Sequence, residues 1–377
     1  MAFLRNAWYV AMWSENLRPQ AIEKKIILNQ PLVFFRKADG QAVAMTDRCP
    51  HRLAPLSMGS LDGDRIRCAY HGLAFDADGA CVHNPHDASN RAPALMRVAS
   101  YAVVERHAIV WIWMGDQKLA DPALIPDLSV LELSPPQHIS PRDYIKIDAN
   151  YELIVYNLLD LSHVPFLHGG VLGNADMITA DTRTEQDERS LVAYRSMPNI
   201  QISRFHQLLL GLTDRVIEDD AERLRRYEAL LHNAQGRGDA WADMRWYAPS
   251  CLMNDSGVCP PGAPRSQGTG ALGAHLLTPE TETTTHYFFC AVRQRPVSLS
   301  ADDEADFRAQ LGELRRIAFD DQDRPILEGQ QRNLDLAGGN DALKPVLLPI
   351  DSSAVRCQRL LEQLLQRERE SLPATHE

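Results

Sequence analysis

Four residues that can bind a transition metal stand in two short segments near the start of the chain. One residue separates Cys49 from His51, and sixteen residues later Cys68 and His71 follow with two residues between them. Thiolates and neutral imidazoles are ligands that suit zinc or iron. Each pair stands beside a proline or a glycine, so we expect two tight loops that hold one metal centre between them.

Two kinds of metal centre fit these four ligands. A tetrahedral zinc ion takes two thiolates and two imidazoles in any order along the chain. A Rieske-type [2Fe–2S] cluster has two cysteines on one iron and two histidines on the other. If each loop supplies one ligand to each iron, the order must alternate as Cys, His, Cys, His, as it does here. The order therefore favours the iron–sulfur cluster over zinc.

A second group of candidate ligands lies in the middle of the chain, over residues 157–168. His163 and His168 are five residues apart, and Asp160 precedes His163 by three. On a regular helix Asp160 and His163 would share a face, whereas the two histidines would diverge. They converge only where the helix is broken, and Pro165 is expected to supply the break. Two histidines and one carboxylate are the ligands of Fe(II) in many non-haem oxygenases.

The carboxylate of such an iron site must come from elsewhere in the chain. An acidic segment near the C-terminus offers Asp320, Asp321 and Asp323, and spacing alone does not choose among them. The alternative interpretation is a solvated acidic helix and two unrelated core histidines. The Cys–His motif upstream argues against that alternative, because a Rieske cluster can pass electrons to an oxygen-activating iron.

The two Cys–His motifs are expected to lie in loops between strands, and the sequence around them predicts such loops. Turn pairs such as Asp-Gly separate short runs with strand character in the first 120 residues, which predicts an N-terminal β domain over residues 1–120. Five prolines between residues 118 and 142 indicate a connector, so a second domain is expected over residues 121–377. The predicted strands of the first domain are 25–27, 32–36, 42–46, 65–69 and 108–114.

The second domain is expected to mix strands and helices. Its C-terminal part carries helical patterns over about 302–333, where Pro325 is expected to interrupt or kink the helix, and over about 352–369. The Gly- and Pro-rich residues 254–273 predict a loop, and we expect this loop to cover a pocket. The predicted strands of this domain are 191–211, 224–233 and 286–293.

Composition excludes several classes of function. The net charge of −11 argues against a protein that binds the phosphates of nucleic acids. No apolar stretch approaches the roughly 20 residues that span a bilayer, so no membrane crossing is expected. Seven cysteines are an odd number for a disulfide framework, which favours reduced thiols or metal ligands and a cytoplasmic location.

Together, these motifs resemble those of the terminal oxygenase component of the Rieske non-haem iron oxygenases. Residues 3–11, 275–282 and 285–289 are similar to the branch that contains the vanillate and dicamba O-demethylases. The resemblance implies an α+β chain, with an N-terminal Rieske β-sandwich domain and a C-terminal helix-grip-like catalytic domain that has a curved antiparallel sheet. The family's third iron ligand stands in a D-x-x-I-L-E context, which residues 323–328 match, so the resemblance selects Asp323.

The resemblance also implies how the metal centres are assembled. It implies a head-to-tail homotrimer in which Asp160 joins His71 of one subunit to His163 of the next, so that electrons pass between subunits. Asn157 is expected near the iron, where it tunes access. The implied ligands are Cys49, His51, Cys68 and His71 for the [2Fe–2S] cluster, and His163, His168 and Asp323 for Fe(II).

Two further histidines are candidates for contact with the substrate. We expect His275 and His286 to face a pocket and to hydrogen-bond a carboxylate or carbonyl group, and places in the core are the alternative.

The expected activity is oxidative dealkylation of an aromatic compound. Electrons from NAD(P)H would arrive through a separate reductase, with or without a ferredoxin, because we expect the chain to have no G-x-G-x-x-G fingerprint and no plant-type ferredoxin spacing. O₂ would then hydroxylate an O- or N-alkyl carbon, and the product would release an aldehyde. The alternatives are ring hydroxylation or angular dioxygenation at the same iron, a zinc-containing binding protein, and a respiratory or carrier Rieske protein.

Overall fold

The computed structural model describes residues 3–135, 138–211, 231–233, 235–296 and 299–371. The N-terminal part forms three small antiparallel sheets, with strand orders β1-β11-β10, β2-β3-β4-β9 and β5-β6-β7-β8. The five strands predicted for this part are confirmed, although the strand predicted over 65–69 stops at residue 67 and the strand predicted over 108–114 covers residues 109–113. The strands are β1 Trp8–Trp13, β2 Glu23–Ile27, β3 Gln30–Arg36, β4 Ala42–Thr46, β5 Ser60–Asp62, β6 Arg65–Arg67, β7 Ala74–Phe75, β8 Cys81–His83, β9 Ser100–Tyr101, β10 Val103–Arg106 and β11 Ile109–Trp113.

The C-terminal part is built on one antiparallel sheet of seven strands. Its order is β12-β18-β17-β16-β15-β14-β13, so that most neighbours in space are also neighbours in sequence. The long inner strands pair over many residues, which makes this sheet a rigid support for side chains. Its strands are β12 Asp143–Ile147, β13 Asp181–Gln186, β14 Ser190–Gln201, β15 Arg237–Tyr247, β16 Cys251–Cys259, β17 Thr269–Pro279 and β18 Thr285–Gln294.

Helices pack against this sheet and complete the predicted α+β class. A π-helical segment, Ile317–Asp323, joins two of them and provides the interruption that was predicted at Pro325. Pro325 itself lies in the first turn of the next helix, a position that suits its fixed φ and missing N–H. The helices are α1 Val130–Leu133, α2 Tyr151–Leu159, α3 Val164–Leu167, α4 Arg204–Leu209, α5 Ala301–Arg316, α6 Arg324–Leu336 and α7 Ser352–Ser371.

Two hydrophobic cores hold the candidate metal loops and the large sheet. The smaller core lies inside the N-terminal part and includes Cys49 and Cys68. The larger core joins β1 and β11 of the N-terminal part to the seven-stranded sheet and to helices α2 and α7. Because the two parts share this core, the loops and the sheet are fixed relative to each other within one chain.

The prediction of a loop over residues 254–273 is wrong. Its two ends belong to β16 and β17, which leaves residues 260–268 as their connection. The glycines serve close packing here: a Cβ on Gly257 would lie 2.2 Å from the ring of Trp241, and a Cβ on Gly270 would lie 2.6 Å from the Ser256 carbonyl oxygen. Glycine in a strand often marks such a close approach, so these residues carry no turn signal.

The predicted strand 191–211 ends at Gln201 and is followed by helix α4. Most of the predicted strand 224–233 lies outside the described residues. The expectation that the chain has no G-x-G-x-x-G fingerprint is wrong in its letters, because residues 268–273 match them. These residues run into strand β17 and lack the helix N-terminus that would bind a pyrophosphate, so the match does not indicate a dinucleotide site. Among the described helices, none combines the length and the apolar character needed to span a bilayer.

Candidate metal centres and the adjoining cavity

Cys49 and Cys68 begin two turns of the same geometry. In each turn the Cys N–H donates to the carbonyl five residues later, at 2.8 Å, and the Cys carbonyl accepts from the N–H four residues later. That fourth residue is Leu53 in one loop and Gly72 in the other, with φ of 62° and 72°. Leucine rarely adopts positive φ, so the turn and not the residue imposes this conformation on Leu53.

The four side chains of these loops divide into a buried pair and an accessible pair. Cys49 and Cys68 are each 1% exposed. Burial is the main reason that the pKa of Cys49 is raised, to about 11. His51 is exposed and His71 is half-buried, and their ring centroids lie 4.4 Å apart.

This division fits a two-iron cluster and does not fit a single zinc ion. With metal–ligand bonds of about 2.0–2.3 Å, four ligand atoms around zinc lie within about 4 Å of one another. In the described part of the chain, only one set of three or more ligand residues has its atoms within 4.8 Å of one another, and that set contains none of the four. A [2Fe–2S] cluster instead places the cysteines on one iron and the histidines on the other.

The set that does converge is His163, His168 and Asp323. The Nε2 atoms of the two histidines are 3.2 Å apart. Asp323 Oδ1 lies 3.3 Å from Nε2 of His168 and 3.7 Å from Nε2 of His163. Two imidazoles and one carboxylate at these distances can bind one ion on one side and leave its other positions open, which is the ligand arrangement of non-haem Fe(II) oxygenases.

The two histidines converge because helix α2 ends before either of them. The helix stops at Leu159, and Asp160 caps a single 3₁₀ turn, Leu161–His163, with its carboxylate accepting from Ser162 N–H at 3.0 Å. The spacing predicted that Asp160 and His163 share one face of a helix. This prediction is wrong, because both residues lie beyond the end of α2. Pro165 does not supply the break either, since it lies in the first turn of α3, where proline is compatible with a helix.

The structure also separates the three candidate carboxylates. Asp320 forms an ion pair with Arg324 at 2.9 Å, and Asp321 forms one with Arg316 at 2.7 Å, both at the surface. Asp323 is 5% exposed and faces the histidines. It ends the π-helical segment, whose wider turn shifts the register of side chains around the axis, and such segments are frequent at functional sites.

Each member of the triad is held by a second hydrogen bond. His163 Nδ1 donates to the Asp160 carbonyl oxygen at 2.6 Å, and His168 Nδ1 donates to Gln322 Oε1 at 2.8 Å. Asn157 Nδ2 donates to Asp323 Oδ1 at 3.2 Å. With Nδ1 occupied as a donor, Nε2 of each histidine is the free ligand atom, which fixes both tautomers and both ring orientations.

Electrostatics acts on the two histidines in opposite directions. Burial is the main cause of the lowered pKa of His163. Burial also acts to lower the pKa of His168, but its hydrogen bond to Asp323 and the charge of that carboxylate outweigh this effect, so the pKa is raised. Sequence reasoning missed Gln322, because nothing but its place beside Asp323 could have indicated this contact.

A mostly apolar cavity adjoins the triad. His275 lines it, with Nδ1 2.5 Å from the Tyr287 hydroxyl, and burial lowers the pKa of His275 to about 3. Asn157 also lines it. The apolar side chains around it include Leu158, Met177, Met197, Phe205, Trp241, Met244, Phe289, Leu311, Leu314 and Phe319.

The expectation that His286 faces the same pocket is corrected. Its Nδ1 lies 2.9 Å from the Tyr144 hydroxyl and its Nε2 lies 3.0 Å from the Ile26 carbonyl oxygen. It is absent from the cavity lining. Alternate residues of a strand point to opposite faces, so His286 and Tyr287, the partner of His275, lie on opposite faces of the sheet.

Comparison with known families agrees with both halves of this description. The Rieske [2Fe-2S] domain family matches residues 7–102, and the vanillate O-demethylase oxygenase C-terminal domain family matches residues 147–367. The chain belongs to the Rieske oxygenases of the vanillate O-demethylase type, and it is an oxidoreductase. The alternatives of a zinc-containing binding protein and of a respiratory or carrier Rieske protein are therefore wrong.

Individual relatives cover almost the whole chain. The oxygenase component of dicamba O-demethylase from Stenotrophomonas maltophilia is 36% identical, over 98% of this chain and 99% of the relative. The oxygenase component of chloroacetanilide N-alkylformylase from Rhizorhabdus wittichii is 33% identical, over 97% of each. The crystal structure of dicamba monooxygenase bound to 3,6-dichlorosalicylic acid superimposes with a TM-score of 0.85 at 34% identity, covering 98% and 99% of the two chains.

Proposed function

We propose that this chain is the terminal oxygenase of a multicomponent monooxygenase that removes an O- or N-alkyl group from an aromatic compound. The observation that carries the proposal is the triad of His163, His168 and Asp323 at the wall of an apolar cavity. The names of its relatives point the same way, since one is an O-demethylase and another an N-alkylformylase.

The triad would hold Fe(II), which supplies O₂ activation and transfer of one oxygen atom to an alkyl carbon. The chain's own residues prepare this chemistry. Gln322 and the Asp160 carbonyl orient the two imidazoles, and Asn157 orients the carboxylate of Asp323. The apolar cavity walls exclude water and position the ring of the substrate. The hydroxylated alkyl carbon is a hemiacetal or hemiaminal, which collapses to a phenol or amine and an aldehyde.

Electrons would enter through a [2Fe–2S] cluster on Cys49, His51, Cys68 and His71. They would come from NAD(P)H through a separate reductase, with or without a ferredoxin. The accessible histidine side of the loops suits this role, because electron transfer needs a partner close to the cluster.

We further propose a homotrimer in which Asp160 joins His163 of its own chain to His71 of the neighbouring chain. Large apolar side chains are exposed beside both centres: Leu53 and Tyr70 next to the cluster loops are 66% exposed, and Phe166 next to the triad is 74% exposed. Apolar side chains exposed beside a functional group are typical of protein contacts.

The proposal also assigns the domains and the compartment. The cluster domain would be residues 1–120 and the catalytic domain residues 121–377, and the ranges matched by the two families lie within these limits. All seven cysteines are free thiols in the structure. Free thiols and oxygen-dependent catabolism of small molecules support a location in the cytoplasm.

An aldehyde assay tests the activity. The protein, NADH, a surrogate reductase and O₂ are incubated with methoxylated, N-alkylated and unalkylated aromatic compounds. We expect aldehyde in an amount that matches the loss of an alkylated substrate, and none from unalkylated controls. Hydroxylated product without aldehyde would instead identify a ring-hydroxylating or angular oxygenase at the same iron.

Replacement of Gln322 tests how the triad is held. In Q322L the Nδ1 atom of His168 loses its acceptor, so the ring is free to rotate and change tautomer. We expect affinity for Fe(II) to fall by about 10–100-fold, as for other residues that orient metal ligands. Iron titration of the metal-free protein, followed calorimetrically, measures this loss. D321N, which changes an exposed carboxylate in the same segment, is the matched control, and equal affinities for Q322L and D321N would contradict the role of Gln322.

A further inference from the structure

We propose that Tyr287 is a redox-active residue that protects the cavity wall from oxidation. When O₂ is activated without a substrate in the cavity, Tyr287 gives one electron to the oxidant at the triad and its phenolic proton to Nδ1 of His275. This inference goes beyond the proposed function, because it needs iron at the triad but no alkylated substrate.

Tyr287 and His275 form a buried pair beside the cavity. They are 2% and 5% exposed. Strands β17 and β18 pair so that His275 lies opposite Phe289, and Tyr287 stands two residues before Phe289. All three side chains therefore lie on the same face of the sheet. His275 and Phe289 line the cavity, and Tyr287 contacts His275 from behind this lining.

The hydrogen bond between the two side chains has a defined direction. Within the residues that the structure describes, the Tyr287 hydroxyl has one hydrogen-bond partner, Nδ1 of His275 at 2.5 Å. If Nδ1 carried a hydrogen, the phenolic hydrogen would be buried without an acceptor, which is costly. The phenol therefore donates, and the imidazole carries its own hydrogen on Nε2.

This direction allows the proton of Tyr287 to leave together with an electron. Burial raises the pKa of Tyr287 well above its usual value, and the charge of Asp323 raises it further, so the phenol stays protonated until it is oxidised. Burial lowers the pKa of His275 to about 3, which keeps its Nδ1 free to accept. An oxidised phenol is a far stronger acid than even this imidazolium, so the proton moves to the base that already contacts it.

The step balances in electrons and protons. The O–H bond of Tyr287 breaks, an N–H bond forms on His275, and the oxidant gains one electron. The products are a neutral tyrosyl radical and an imidazolium. An electron delivered through the [2Fe–2S] cluster, with return of the proton, restores both side chains.

Packed rings connect Tyr287 to the segment that carries Asp323. The ring centroid of Phe319 lies 5.9 Å from that of Tyr287, 5.4 Å from that of His275 and 5.1 Å from that of Phe289. Phe319 belongs to the π-helical segment that ends at Asp323, and both residues line the cavity. An electron that leaves Tyr287 for the triad therefore crosses a short, continuous set of ring contacts.

The cavity wall contains side chains that an unused oxidant would damage. Oxidation converts a thioether to a sulfoxide and a thiol to a sulfenic acid, and either change makes an apolar wall polar. Reversible loss of an electron from Tyr287 removes the oxidant before these side chains react. The oxidisable residues of the wall are Met177, Met197, Trp241, Met244 and Cys290.

Electron paramagnetic resonance tests the proposal without any substrate. Hydrogen peroxide is added to the iron-loaded protein, because it supplies both oxygen and electrons and makes the reductase unnecessary. We expect rapidly frozen samples to show an organic radical signal that narrows when the tyrosine rings carry deuterium. Y287F should lose this signal. H275F keeps the tyrosine but lacks the proton acceptor, and it should lose the signal as well.

Peptide mass spectrometry of the same samples measures the protection. Sulfoxide at Met177, Met197 and Met244 should be higher in Y287F than in the wild-type protein at equal iron content. Metal-free protein treated with the same peroxide gives the background.

Y144F is the matched control. Tyr144 also hydrogen-bonds a histidine, His286, but this pair lies on the opposite face of the sheet and does not line the cavity. Y144F should keep the radical and the wild-type level of sulfoxide. An undiminished radical in Y287F, or equal methionine oxidation in Y287F and wild type, would overturn the proposal.

The absorbance of the cluster reports whether each variant folds. If Y287F does not fold, H275F and the wild-type protein still decide, because an undiminished radical in H275F or no tyrosyl radical in the wild type would also overturn the proposal. The aldehyde assay is independent of this result. A radical at Tyr287 would stand even if no substrate were dealkylated, and dealkylation without any radical would reject only the role of Tyr287.

Discussion

H163A should lose its mononuclear iron and all measurable dealkylation, while its [2Fe–2S] cluster remains intact. Removing one of three ligands leaves His168 and Asp323, which cannot hold the ion alone in a site that is open on its other side. The cluster loops belong to a separate hydrophobic core, so their folding does not depend on His163. Total iron should fall by about one third, since the cluster holds two irons for each iron at the triad.

Iron analysis, the visible absorbance of the cluster and the aldehyde assay measure these three effects on the same sample. The cluster absorbance serves as an internal control for folding. The reciprocal variant C68S should lose the cluster absorbance and keep iron at the triad. Full iron content in H163A, or residual dealkylation above that of the metal-free protein, would contradict the assignment of His163.

D160N should keep both metal centres and still fail to couple them. The asparagine side chain can continue to accept from the Ser162 N–H, and the backbone carbonyl of residue 160 still accepts from His163 Nδ1. What disappears is the negative charge and one acceptor oxygen, which the proposed bridge to His71 of the neighbouring subunit requires. Turnover should therefore fall by about 10–100-fold or more, the usual effect of removing a carboxylate that orients metal-ligating histidines.

A single-turnover experiment separates this effect from loss of metal. The prereduced protein is mixed with O₂ and substrate, and oxidation of the cluster is followed by its absorbance. Slow oxidation in D160N at unchanged iron content is the expected result. D321N removes a surface carboxylate that takes no part in the bridge, and it should behave like the wild-type protein. Equal oxidation rates in D160N and wild type would show that Asp160 has no role in coupling.

The sequence alone was sufficient for the class of the protein and for the candidate ligands that lie close together along the chain. Cys49 and His51 stand in one turn, and Cys68 and His71 in another, so their spacing directly reflects the geometry of the turns. His163 and His168 are likewise near neighbours. Local signals such as turn pairs, proline clusters and helical periodicity predicted which parts of the chain carry strands and helices, and the resemblance to a known family implied the α+β class.

Tertiary structure decided what depends on residues far apart in sequence. Asp320, Asp321 and Asp323 have equivalent chemistry, and only the π-helical segment and the packing of α5 and α6 turn Asp323 toward the histidines. The glycines of residues 254–273 are typical of a loop when only the sequence is considered. In the structure Gly257 and Gly270 lie in strands, where atoms of the neighbouring strands leave no space for a side chain.

The same reason explains Gln322 and His286. Gln322 contacts His168 across 154 residues of sequence. His286 instead contacts the Ile26 carbonyl, 260 residues away, and so lies outside the cavity. Spacing along a chain carries information about turns and helix faces, whereas these contacts arise when separate elements pack, and many different sequences can produce them.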